Sequence, residues 1–170
     1  MQIIASTDGR GLYVEKNADN LSGSINDSQT TIVVTQDTFD DGDTVTIDQE
    51  DIIIGSGPGP TYTGCTRGAN GTTATSHNSS ANVLLADGTT LLSHTFNGST
   101  YLSAIRVGCR EAVGVFGIKI DGTLKYQWTA TLENLEKIFP MVKWLPPNGT
   151  VIEIVVWTWS GGNYFAEMQS

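Results

Sequence analysis

The chain has 170 residues, 39% hydrophobic and 16% charged, with 19 glycines and a formal net charge of −9. That balance excludes a disordered polymer. Nine Lys and Arg against eighteen Asp and Glu leave no basic cluster for DNA, RNA or an anionic membrane.

Met1 to Gly9 has neither a basic start nor a long apolar core, so no secretory leader is expected. No apolar run approaches the ~20 residues of a membrane-spanning helix. Residues 1–20 read as an N-terminal arm, in which Ile3 and Ile4 and then Leu12-Tyr13-Val14 are two short apolar pieces. Such a segment can add an edge strand to its own sheet or to a neighbouring subunit. These five residues are therefore candidates for a contact surface.

Residues 21–87 read as a small β module. Thr31 to Thr35 is a run of mostly β-branched residues, Asp40-Asp41-Gly42-Asp43 is a turn, and Thr44 to Ile47 alternates as a half-buried strand does. Ile52 to Ile54 is a buried strand, stopped by Gly55-Ser56-Gly57-Pro58-Gly59-Pro60, and Ala81 to Leu85 closes the module. A core in so short a module is thin.

Residues 88–170 read as an antiparallel β-sandwich. Strands are expected at Leu91–Thr95, Tyr101–Val107, Val113–Ile120, Thr123–Thr129, Val151–Ser160 and Asn163–Met168. Asp121-Gly122 marks a hairpin, because both central positions of a type I′ turn need positive φ. Thr131 to Lys137 is the one stretch expected to form a helical turn, with a threonine cap and a lysine near its end. The whole chain is thus expected to be all-β.

Candidate chemistry is sparse. His77 and His94 have no nucleophile or carboxylate at a spacing that suggests a triad, so no catalytic residue is expected. Asp37, Asp40, Asp41, Asp43, Asp48, Glu50 and Asp51 are acidic enough for calcium but lack the spacing of an EF-hand loop, and they read as solvated turn acids. Cys65 and Cys109 lack zinc-ligand spacing. No metal or cofactor is expected. Trp157 and Trp159, two residues apart, face one side of a strand. With Tyr164 they form either a contact surface or part of the sandwich core.

The most distinctive stretch is Tyr62-Thr-Gly-Cys-Thr-Arg-Gly-Ala-Asn-Gly-Thr-Thr-Ala-Thr-Ser-His77. Gly68 and Gly71 stand where a tight turn needs positive φ. Arg67 offers a planar fork of donors able to tie loop carbonyls or a carboxylate together. Gly64, Arg67, Gly68, Gly71, Thr72 and His77 are accordingly the candidate structural clasp.

Together with Gln29-Thr-Thr-Ile-Val-Val-Thr35, Phe39-Asp-Asp-Gly-Asp43 and Val45 to Ile54, this stretch resembles a small β module that recurs in tailed-bacteriophage virion proteins. The resemblance covers about residues 20 to 85. A looser one, to a jelly-roll-like sandwich of phage virion proteins, covers about residues 90 to 169 through Tyr101 to Gly108, Gly117 to Trp128, Leu145 to Val156 and Asn163 to Met168. It implies a non-enzymatic virion protein, favouring a capsid cement or decoration subunit that bridges the major capsid protein as a homo-oligomer, most simply a trimer. The alternative it implies is a tail, baseplate or fibre component whose sandwich binds a host glycan.

Overall fold

A computed structural model describes residues 2–7, 11–110 and 113–170. Every regular element among them is a strand, and the strands pair antiparallel. They form two compact units, one of residues 1–16 with 89–170 and the other of residues 17–88.

The smaller unit holds β3 (Ala18–Asn20), β4 (Ile32–Val33), β5 (Thr44–Ile47), β6 (Glu50–Ile53), β7 (Thr61–Tyr62), β8 (Thr66–Ala69) and β9 (Asn82–Leu85). Five of them make a sheet in the order β3-β9-β5-β6-β8, and β4 pairs with β7. The alternating β-branched residues explain the core: Val45 and Ile47 on β5 and Ile52 on β6 turn inward and are fully buried. Leu21, Ile25, Ile32, Val34, Phe39, Ile54, Tyr62, Cys65 and Val83 complete the cluster. Each such side chain contributes about 1.5–3 kcal/mol on burial. Tyr62 satisfies its hydroxyl inside the core, where it accepts from Phe39 N at 3.1 Å and lies 3.0 Å from the Phe39 carbonyl.

The larger unit is a two-sheet sandwich. One sheet holds β1 (Ile3–Ser6) and β2 (Leu12–Val14), both paired to β16 (Gly162–Gln169), followed by β11 (Leu102–Arg110) and β14 (Glu136–Trp144). The other runs β10 (Thr89–Thr95), β15 (Val151–Trp157), β12 (Val115–Ile120), β13 (Thr123–Thr129). The chain switches sheets repeatedly, as a jelly-roll-like sandwich requires. Inward rows from both sheets fill one core: Ile105, Val107 and Cys109 from β11, Ile152, Ile154 and Val156 from β15, and Tyr164, Ala166 and Met168 from β16. The hairpin turn behaves as its dipeptide requires, with Asp121 at φ 50° and Gly122 at φ 75°.

Three features bear on the sequence expectations. Of the two roles open to the N-terminal segment, the structure has the first: Ile3 to Ser6 and Leu12 to Val14 add edge strands to their own sheet by pairing with β16, and Val14 is 1% exposed in the sandwich core. The smaller unit is therefore an insertion between β2 and β10. No helix forms at Thr131 to Lys137: Thr131 and Asn134 close a short turn, and Glu136 and Lys137 already pair with β11. Tertiary pairing there overrides a weak helical preference. The nine-residue β14 was unexpected because Pro140 lies in its middle, but β14 is an edge strand, where proline's missing donor is tolerated.

Candidate functional site

The densest group of charged side chains is in the smaller unit. A two-residue turn at Asp48-Gln49, with Asp48 at φ 55°, brings β5 and β6 together. Alternation from Ile52 then points Glu50 into the core. β8 lies beside β6 and carries Arg67 to the same place. The following loop returns His77, whose backbone is bridged to Ile25 by bonds of 2.9 and 3.0 Å.

Arg67 donates all five of its N–H groups. Nε reaches Glu50 Oε1 at 2.8 Å and Nη2 reaches Glu50 Oε2 at 2.9 Å. Nη1 is shared by the Asn26 and Gln29 carbonyls at 2.7 and 2.8 Å, and Nη2 also donates to the Thr75 carbonyl at 2.6 Å. Glu50 accepts in addition from Gly68 N at 2.9 Å and Thr75 N at 3.0 Å. His77 Nε2 lies 2.9 Å from Glu50 Oε2, and Nδ1 lies 2.8 Å from Asp48 Oδ2. Both ring nitrogens thus face carboxylate oxygens.

Burial alone pushes the Glu50 carboxyl up. The hydrogen bonds from Arg67, Thr75, His77 and Gly68 outweigh that and bring it down to about 2. The clasp is closed by Thr72, whose hydroxyl donates to the Ala69 carbonyl at 2.7 Å and accepts from Asp51 N at 3.0 Å. Gly64, Gly68 and Gly71 have φ of 69°, 63° and 80°.

No protein-family model, curated protein or solved structure matches the chain.

The structure thus brings Arg67, Gly68 and His77 together around Glu50, with Thr72 on the neighbouring Asp51 N, Gly71 in the same loop and Gly64 at the entry to β8. Sequence reasoning missed Glu50, which it placed among solvated turn acids. The available signal was register: a carboxylate two residues before Ile52 shares its inward face and needs a partner. Asp19 was missed too. It is 1% exposed and accepts from Asn20 N at 2.7 Å, Gln36 N at 3.1 Å and the Thr38 hydroxyl at 2.6 Å, as well as from the Thr35 hydroxyl.

The other candidates are scattered. Asp43 accepts from Asp40 N at 2.9 Å, and among the described residues no three His, Cys, Asp or Glu side chains group as a metal site. His94 is half-buried edge-on to Phe96, with ring centroids 4.7 Å apart. Cys65 and Cys109 are free thiols in different units, and burial pushes both up.

Of the contact-surface candidates, Ile3, Leu12 and Tyr13 are exposed, Ile4 is half-buried against the core, and Trp159 is half-buried. Val14, Trp157 and Tyr164 are buried and offer no surface. The Tyr164 hydroxyl is spent on the Val113 carbonyl and the Thr158 hydroxyl, at 3.0 and 2.6 Å. Trp128 stacks on Phe116 at 5.6 Å, Trp144 packs against the core, and Trp157 alternates away from the inward Ile152-Ile154-Val156 row.

Proposed function

We propose that this chain is a non-enzymatic structural component of a tailed-phage particle, a cement or decoration subunit that bridges and stabilises major capsid subunits as a homo-oligomer. The observation that carries the reading is the clasp. The stretch with the virion-module resemblance spends every Arg67 donor, and every charge beside it, on holding its own loops. A buried pair satisfied in this way stabilises a fixed shape and leaves no donor of Arg67 for a substrate.

Bridging asks for a rigid body with side-chain surface to bury. The sandwich supports this reading better than a free N-terminal arm, since residues 3–6 and 12–14 are already paired to β16. The test is to separate purified particles into heads and tails and locate the protein by mass spectrometry. It is expected with heads, and heads lacking it should release their contents at lower temperature. Recovery with tails alone would replace the cement reading with a tail component.

A further inference from the structure

The two units differ in surface chemistry. Residues 17–88 hold ten of the eighteen carboxylates and one of the nine Lys and Arg, a formal charge of −9, and that one cation is Arg67 in the clasp. The sandwich unit holds eight of each and is formally neutral. Among the described residues, the exposed large apolar side chains all belong to the sandwich and none lies within 17–88.

Two groups of these side chains sit at opposite edges of the same sheet. At one edge, where β1 and β2 border β16, Ile3, Leu12 and Tyr13 are 57%, 44% and 63% exposed, and Glu15 follows them in the open. At the other, β14 and the edge strand β13 of the second sheet frame a groove of about 550 Å³ lined by Ile120, Tyr126, Pro140, Met141, Val142 and Trp144. These two strands expose Lys125, Lys137 and Lys143, while their one carboxylate, Glu136, is taken by Arg106 in two bonds of 2.8 Å.

The groove edge is unfit for regular strand addition. Pro140 lacks a donor, and Val142 and Lys143 hold φ of 48° and 50°, a conformation in which a β-branched residue is strained. Val142 is left 89% exposed. What this edge offers is side-chain surface, apolar with a basic rim.

We propose that the β13–β14 groove receives the β2 edge of a second copy of this chain, Tyr13 foremost, in a head-to-tail contact. Tyr13, 63% exposed, supplies an aromatic anchor of the kind that dominates interface energetics, and the groove offers it an apolar lining. Glu15 meets the lysines of β13 and β14, strands whose one carboxylate is held by Arg106. Neutral sandwiches approach without net repulsion, whereas two units of −9 repel each other. Because the joined surfaces differ, the contact is heterologous and repeats from copy to copy, as a ring where its rotation closes and as a filament where it does not. It also stands or falls separately from particle location: a tail protein can form the contact, and a head protein can be monomeric.

The test uses the full chain and native mass spectrometry at micromolar concentration. Wild type is expected as an oligomer. Val142→Asp and Tyr13→Asp each break one face, so each alone should be monomeric and still unfold cooperatively. Mixed in equal amounts they still own one groove and one edge between them, and a 1:1 dimer should appear, doubling the mass. Tyr126→Asp in the groove lining and Leu12→Asp beside Tyr13 form a second pair should either first variant fail to fold. A monomeric wild type, an oligomer that survives either substitution, or a mixture that stays monomeric overturns the proposal.

Discussion

Arg67 and Glu50 meet through two parallel hydrogen bonds, Nε to Oε1 at 2.8 Å and Nη2 to Oε2 at 2.9 Å, with side chains 6% and 0% exposed. Removing one partner leaves the other charge buried and unpaired. Arg67→Ala should therefore cost about 3–5 kcal/mol in urea unfolding. Arg67→Lys keeps the charge but exchanges a five-donor fork for three donors on one nitrogen. It should lose most of the same stability, and an unchanged midpoint for either variant would sink the structural role.

The same pair sets an acid dependence. Glu50 has a folded value of about 2 against an ordinary 4.5. Between those values the unfolded chain binds more protons than the folded one, so stability rises with pH. The contribution is fully present above about 4.5 and is lost as pH falls through about 2. It amounts to about 3 kcal/mol. Unfolding curves collected across this window should show that slope, and Glu50→Gln should flatten it. A wild-type slope equal to that of Glu50→Gln would rule the linkage out.

Much of this fold was legible in the residues, for identifiable reasons. Val45 and Ile47 alternate with threonines, and Asp121-Gly122 has few backbone choices, so strand and turn followed from local chemistry. The clasp glycines were legible in the same way. Glu50 was not, because its partners Arg67 and His77 come from 17 and 27 residues away and only folded register joins them. β14 was hidden by Pro140, whose cost depends on being at a sheet edge, a property of topology. That Ile3-Ile4 and Leu12 to Val14 can join a sheet edge was legible, but the choice of β16 as partner was not, because no local pattern carries so distant a contact.

Two glycines of the clasp should respond differently to the same substitution. Gly64 and Gly68 share similar φ, 69° and 63°, so an alanine at either incurs the left-handed penalty of ~1–2 kcal/mol. A Cβ at Gly64 meets open space, whereas one at Gly68 would stand 3.0 Å from the Thr72 carbonyl oxygen and 3.1 Å from Ala74 N. Gly68→Ala should be the more destabilising by thermal unfolding. Equal shifts in Tm would mean that the loop gives way without cost.

The inserted unit should fold when cut out of the sandwich. Its two ends are tied to each other: Leu85 N donates to the Asn17 carbonyl at 3.0 Å, and Ala18 pairs with Leu84 on β9. A segment whose termini lie side by side can be excised with little loss of its own contacts, as inserted domains generally can. Its core cluster draws on residues from Leu21 to Val83, and its buried ion pair and the buried Asp19 are satisfied by groups within 17–88. The excised 17–88 piece should unfold cooperatively in urea and keep the Glu50 acid slope, even though a core of this size is thin and its midpoint is expected to be modest. Amide dispersion in a proton–nitrogen spectrum checks the fold directly. A collapsed spectrum without the slope would mean that the clasp depends on the sandwich, and the insertion would then be a subdomain rather than a folding unit.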